Sequence, residues 1–157
     1  MLKDIKLIVY DFDGVMTDNR VMVSEDGIES VIVSRADGLG VYMIKEMGVP
    51  QMILTAETNP VVSLRAKKLG ISVLQGVDDK KTALLNYCKD NNYDPGGILY
   101  VGNDVNDKGV MKAVGYSVAT ADAHHSIKSL AQMVLDTKGG QGVVRELADK
   151  LKEYRRY

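Results

Sequence analysis

"IKLIVYDFDGVMTDN", residues 5–19, runs from a short apolar segment straight into three aspartates, Asp11, Asp13 and Asp18. Carboxylates that close repel one another and weaken a fold unless a cation sits among them. In extended backbone, residues two apart project to the same side. Asp11 and Asp13 therefore point together and Phe12 points away. If 5–10 is a strand of an open parallel sheet, Asp11 falls just beyond its carboxyl end, where such sheets bind ligands.

The rest of the chain supplies that sheet. Short apolar runs at 50–55, 71–75, 97–102, 116–120 and 133–136 alternate with segments of helical period at 38–48, 59–70, 79–91, 106–113 and from 141 onward. Pro60 suits the first turn of its helix and Gly70 the end of it. Strands apolar on both faces and separated by helices indicate a parallel sheet covered on both sides. The expected fold class is α/β, a doubly wound, Rossmann-like parallel sheet in one domain, 1–157. One stretch departs from the alternation. "RVMVSEDGIESVIVS" (20–34) is two alternating segments around Asp26-Gly27, a strong hairpin signal. Inserted after the first strand, it should project beside the acidic loop and pack either on its own domain or on a neighbouring subunit.

Composition narrows the function. A chain of 157 residues buries roughly 70% of its unfolded surface. Its net charge of −1 provides no basic field for nucleic acid. The single cysteine, Cys88, forms no internal disulfide and fits a reducing compartment. It lies at helical spacing from Leu84 and Leu85 and reads as core. No run approaches the ~18 apolar residues of a bilayer span, and the N-terminus lacks the pattern of a signal peptide. A cytoplasmic protein without membrane or nucleic-acid partners is expected. His124-His125 reads as a solvated pair in a polar loop before a helix.

Read alone, Asp11-Phe12-Asp13 is equally a helix cap or a solvated turn. A calcium loop fails because glycine comes at the fourth position, Val15 at the fifth and Met22 at the twelfth. "GLGVYM" lacks the third glycine of a dinucleotide fingerprint, and there is no Gly-Lys-Ser/Thr run. The other strand ends shift the balance. Thr55 closes the second strand with a hydroxyl and an exposed backbone N–H. Lys80 follows the third, in "QGVDDK", and "GNDVND" (102–107) follows the fourth.

Taken in order, these motifs resemble the haloacid dehalogenase superfamily of phosphohydrolases. "DFDGVMTD" is similar to its first motif, and Thr55, Lys80 and "GNDVND" to the next three. "RADGLG", "QGVDDK" and "KGGQGVVRE" resemble its small branch without a cap domain, which acts on 2-keto-3-deoxy sugar-acid phosphates. The resemblance implies Asp11 as nucleophile, Asp13 as general acid and base, and Thr55 and Lys80 as phosphate-binding catalytic groups. It implies Mg²⁺, which suits an oxygen-only site facing a phosphate, with ligands drawn from Asp11, Asp13, Asn103, Asp104 and Asp107. Thr55, Ala56, Glu57, Arg65, Lys68 and Lys80 would bind substrate; Arg65 and Lys68, three apart, share a helix face.

Two positions depart from the pattern: Asn103 stands where aspartate is usual, and Ala56 where glycine is common. The octulosonate branch often carries arginine at the position of Glu57, which leans the substrate towards a nonulosonate 9-phosphate over an octulosonate 8-phosphate. The resemblance also implies a homotetramer whose hairpins and C-terminal tails help close neighbouring sites. Two other readings stay open: a catalytically weak assembly domain of the kind attached to acylneuraminate cytidylyltransferases, and a phospho-receiver module.

Overall fold

The computed structural model describes residues 4–154. Its main sheet has six parallel strands in the order β5-β4-β1-β6-β7-β8: β1 is Leu7–Tyr10, β4 Gln51–Leu54, β5 Ser72–Leu74, β6 Ile98–Gly102, β7 Tyr116–Ala119 and β8 Met133–Val134. Alternation along β1 decides the layering, because successive side chains leave opposite faces. Ile8 and Tyr10 join one core with residues of helices α1 (Arg35–Glu46), α2 (Val61–Leu69) and α6 (Val143–Tyr154). Leu7 and Val9 join the other, with α3 (Lys80–Asp90), α4 (Lys108–Met111) and α5 (His125–Lys128). Cys88 is buried in that second core. Among the described residues no helix is long and apolar enough to cross a membrane.

β1 is the pivot. From it the chain winds outward through β4 and β5, then returns to lay β6 against β1's other edge. The direction of winding thus reverses between β1 and β6, and the crevice beyond their carboxyl ends is the expected binding position. The loops carrying Asp11 and Asn103 leave the sheet there.

Helix ends follow local chemistry. Ser34 caps α1 by accepting from the Ala36 N–H at 3.1 Å, so this helix starts three residues before the expected 38. Asn59 Oδ1 accepts from the Val61 N–H at 3.0 Å, and Gly70 ends α2 in the left-handed region at φ 66°. The helix expected over 106–113 is a 3₁₀ turn, Val105–Asp107, followed by the one-turn α4.

The hairpin is present but slighter than its sequence suggests. β2 (Met22–Val23) pairs antiparallel with β3 (Glu29–Ser30), and Thr17 bridges to Val33. The turn around Asp26-Gly27 spans 24–28, with Gly27 N–H donating to Ser24 O and Asp26 accepting from the Ser24 hydroxyl. Val21, Met22, Val23, Ile28 and Ile32 are all exposed on it.

Candidate active site

β1 ends by handing one more ladder bond to Asp11, whose N–H donates to Val101 O at 2.9 Å. The backbone then tightens. The N–H groups of Val15, Met16 and Thr17 converge on Phe12 O, and Gly14 takes φ 79°. Asp11 is almost wholly buried. Its Oδ1 accepts from the Phe12 N–H at 2.7 Å, and its Oδ2 lies 2.8 Å from Lys80 Nζ. Asp13 is half-buried, and its Oδ1 accepts from the Thr17 hydroxyl at 3.3 Å.

Lys80 supplies a cation to one of the crowded carboxylates, Asp11. Its ammonium is 2% exposed and also meets Asp107 Oδ1 at 2.7 Å. Burial pulls its pKa down, but the Asp11 and Asp107 charges outweigh that and hold it above the ordinary lysine value. Asp11 is pushed up to about 7, first by burial and then by Asp107, against the opposing pull of Lys80. Asp13 is also raised, by burial and then by Glu57.

A hollow of about 360 Å³ opens above this floor, lined by Asp11, Asp13, Asn19, Thr55, Ala56, Glu57, Thr58, Asn103, Asp104 and Asn106. Four of these are acids and none is a base. A second hollow of about 250 Å³ shares Asp13, Asn19 and Glu57 and runs along the hairpin past Arg20 and Val31. The site therefore has a floor over Asp11 and an extension on the Asp13 side.

Seven of the expected residues thus converge at or directly above the floor, with Lys80 beneath. Three expectations are corrected. Asp107 does not line the hollow. Its four acceptor sites are taken by Lys80 Nζ and the Tyr100 hydroxyl on Oδ1 (both 2.7 Å), and by the Asn103 and Asp104 N–H groups on Oδ2 (2.9 and 3.3 Å). It secures Lys80 and the fourth loop, leaving no lone pair for a metal. Arg65 and Lys68 lie elsewhere, in a basic hollow of about 520 Å³ between α1 and α2 with Arg35 and Lys45. Arg65 Nη2 is engaged with Ser34 O at 2.9 Å. Finally, the Thr55 N–H is not free but donates to Leu74 O at 3.0 Å; only its hydroxyl, which accepts from the Glu57 N–H at 3.2 Å, has a proton to give.

Sequence reasoning missed Thr17, Asn19 and Tyr100. Thr17 and Asn19 sit within or beside the first motif, but nothing in a single sequence marks a buried threonine as the holder of a carboxylate. The His124-His125 pair is exposed, and His124 Nδ1 caps α5, accepting from the Ser126 N–H.

The donor set fits a small hard cation. Asn103 Oδ1 is buried at the hollow and has no hydrogen-bond partner. A Cβ on Gly14 would overlap the Asn103 amide, so the bare glycine lets that amide reach the acidic loop. Among the described residues no three carboxylates, imidazoles or thiols converge tightly enough to hold an ion by themselves. Asp11, Asn103 and Asp104, with the Asp13 carbonyl, leave positions for water and substrate oxygens, which is how Mg²⁺ is usually held.

A parallel sheet with an Asp-x-Asp at the tip of its pivot strand, a buried lysine beneath and a second acidic loop opposite defines a hydrolase of the haloacid dehalogenase type. The chain belongs to the haloacid dehalogenase-like hydrolase family, whose model matches residues 53–147. It is 35% identical over 147 residues to a 3-deoxy-D-manno-octulosonate 8-phosphate phosphatase of Yersinia pestis, covering 93% of this chain and 79% of that protein. Among solved structures, a HAD family hydrolase of Streptomyces avermitilis is 45% identical with a TM-score of 0.91, covering 94% of this chain and 91% of that one. The Moraxella catarrhalis octulosonate 8-phosphate phosphatase, in a complex with magnesium, phosphate and KDO, is 29% identical with a TM-score of 0.93, covering 97% and 88%.

Proposed function

We propose that the protein is a Mg²⁺-dependent phosphatase of a 2-keto-3-deoxy sugar-acid phosphate, acting through an aspartyl-phosphate. The observation that carries this is the hollow itself: a nearly buried carboxylate, Asp11, faces it beside a half-buried one, Asp13, with Lys80 bound to Asp11 from below. The octulosonate phosphatase relatives support the substrate class.

Asp11 attacks phosphorus, and the bond from phosphorus to the sugar oxygen breaks. Asp13, whose raised pKa favours holding a proton, gives that proton to the departing oxygen. Water then attacks the aspartyl-phosphate while Asp13 takes its proton; the phosphorus–Asp11 bond breaks and phosphate leaves. Lys80 balances charge on Asp11, and the Thr55 hydroxyl donates to a phosphoryl oxygen as charge builds there. Asp11, Asn103, Asp104 and the Asp13 carbonyl would hold Mg²⁺, whose charge keeps Asp11 ionised and lets a phosphate dianion approach four acids.

Within the class, a nonulosonate 9-phosphate is the favoured substrate. Glu57 lines both hollows; a carboxylate only accepts hydrogen bonds, so it suits sugar hydroxyls and not the substrate's own carboxylate. The exposed apolar residues of the hairpin suit burial against a neighbouring subunit, as in the homotetramer the resemblance implies, and the buried free Cys88 suits the cytoplasm. The weak assembly domain is the second reading, favoured by Asn103 in place of a charged ligand.

Purified protein should release phosphate from p-nitrophenyl phosphate and from one member of a panel of octulosonate and nonulosonate phosphates when Mg²⁺ is present. Release should stop with EDTA, and Asp11→Asn should abolish it. Metal-independent release, or an active Asp11→Asn variant, overturns the mechanism. A panel that is inert throughout, on protein that still oligomerises, selects the assembly domain.

A further inference from the structure

Asp13 is aimed by a threonine that is itself held from behind. The Thr17 side chain is wholly buried, and its hydroxyl oxygen accepts from the Gly14 and Asn19 N–H groups (3.2 Å each) while donating to Asp13 Oδ1. That aim is only as good as the placement of Thr17. Against the back of this loop lies Gly139-Gly140, from the turn before α6. A Cβ on Gly139 would overlap the Gly14 carbonyl oxygen and lie 2.8 Å from the Thr17 carbonyl oxygen. One on Gly140 would lie 2.5 Å from the Asp18 nitrogen, and Gly140 is already at φ 73°. The Gly140 N–H donates to Val15 O at 3.0 Å, so backbone meets backbone with no side chain between.

The double glycine is anchored on its far side. Gly139 N–H donates to Asp122 Oδ1 at 2.9 Å. Glu146, in the first turn of α6, accepts from the Asp136 and Thr137 N–H groups at 3.0 and 2.8 Å. Ala121 N–H donates to Thr137 O at 3.0 Å. α6 is fixed in turn to α1: Asp37 accepts from the Val144 N–H at 2.9 Å, and Gly40 is bare where a Cβ would strike the Val144–Arg145 backbone. A continuous set of bonds and close contacts therefore runs from the last helix to the acidic loop.

We infer that Gly139-Gly140 is a positioning element for the reaction: it presses the Phe12–Asp18 loop into the shape in which Thr17 holds Asp13 towards the leaving oxygen. This rests on the reading of Asp13 as general acid. The double glycine thus supports the acid of its own protomer.

A misplaced acid penalises poor leaving groups and hardly touches good ones, because a good one departs without a proton. p-Nitrophenyl phosphate and phenyl phosphate have nearly the same shape but leaving groups of very different acidity, so their kcat/KM ratio reads the acid alone. Gly139→Ala should lower kcat/KM for phenyl phosphate on the order of 10-fold while p-nitrophenyl phosphate stays within about threefold. Asp122→Ala, an exposed change that removes only the anchor, should show the same selective loss in milder form. Asp122→Asn, which keeps the acceptor, should restore the wild-type ratio. Asp13→Asn is the reference and should show the full selectivity. If Asp13→Asn discriminates but Gly139→Ala and Asp122→Ala lower both probes equally, or neither, the buttress is wrong. If Asp13→Asn does not discriminate, the acid assignment fails first and the inference falls with it.

Discussion

Asp37 and Asp107 are buried to the same degree, at 1% and 0% exposure, yet their surroundings differ in every other respect. Asp107 receives four donors, one of them a lysine ammonium. Asp37 accepts from the Val144 N–H on one oxygen and feels the Arg145 N–H more weakly, while its Oδ2 has no hydrogen bond of normal geometry. The cation that eases its charge, Arg65, spends a guanidinium nitrogen on Ser34 O. Burial therefore raises Asp37 to about 6. The lesson concerns how a fold uses a buried acid. Fully matched with donors, the carboxylate is a fixed strut, and the fold hangs Lys80 and two backbone amides on it. Half matched, it is a latch that holds better with a proton on it.

Removing the cation is the harshest way to break this contrast. Lys80→Met would leave Asp11 and Asp107 buried without a counter-charge, a change that costs about 3–5 kcal/mol when one partner of a buried pair is lost. On the proposed mechanism turnover should fall by at least ~10³-fold, since both Asp11 and the phosphoryl oxygens would lose their nearest positive charge from the protein. Denaturant unfolding alongside steady-state kinetics checks both; a stable, active variant would show that the pairing is incidental.

Asp107→Asn is a subtler intervention. The amide keeps an acceptor for some of the donors but supplies an N–H where only acceptors fit. Expected is a kcat reduced about 10- to 100-fold with KM little changed, because Asp107 acts through Lys80 and not on substrate. A rise in KM alone would place Asp107 in contact with substrate or metal after all.

The smallest effect belongs to Asp37, and it is a slope. Its folded pKa lies above the unfolded value near 4, so its stabilising share is full below that value and is lost as pH rises through about 6. The loss is at most about 3 kcal/mol. Asp37→Asn keeps an acceptor for Val144 and cannot ionise. Melting temperatures from pH 4.5 to 7.5 should therefore show the variant gaining on the wild type as pH rises; parallel curves would mean that Asp37 is already well satisfied.

Much of the site was legible because strand ends carry it. Asp11, Thr55 and Asn103 each follow an apolar run, and a parallel sheet brings such ends together without further instruction. Spacing alone could not separate Asp104 from Asp107: both lie in one acidic hexapeptide, and only the fold-back over the bare Gly102 puts the second beneath the floor. Helical period correctly paired Arg65 with Lys68, but a shared face does not say which hollow it borders. The start of α1 was hidden because Ser34 reads equally as a strand end and as a cap.

The order of the strands also bears on how the molecule is born. β1 is made before every other strand of its sheet, yet it belongs in the middle, with Leu7 beside Ile98. Its second neighbour, β6, is not translated until β4 and β5 have been made, and such long-range parallel pairing is slow. Asp11, the proposed nucleophile, therefore waits for β6 before its surroundings are complete, so a chain that stops short of β6 has that carboxylate but nowhere to use it.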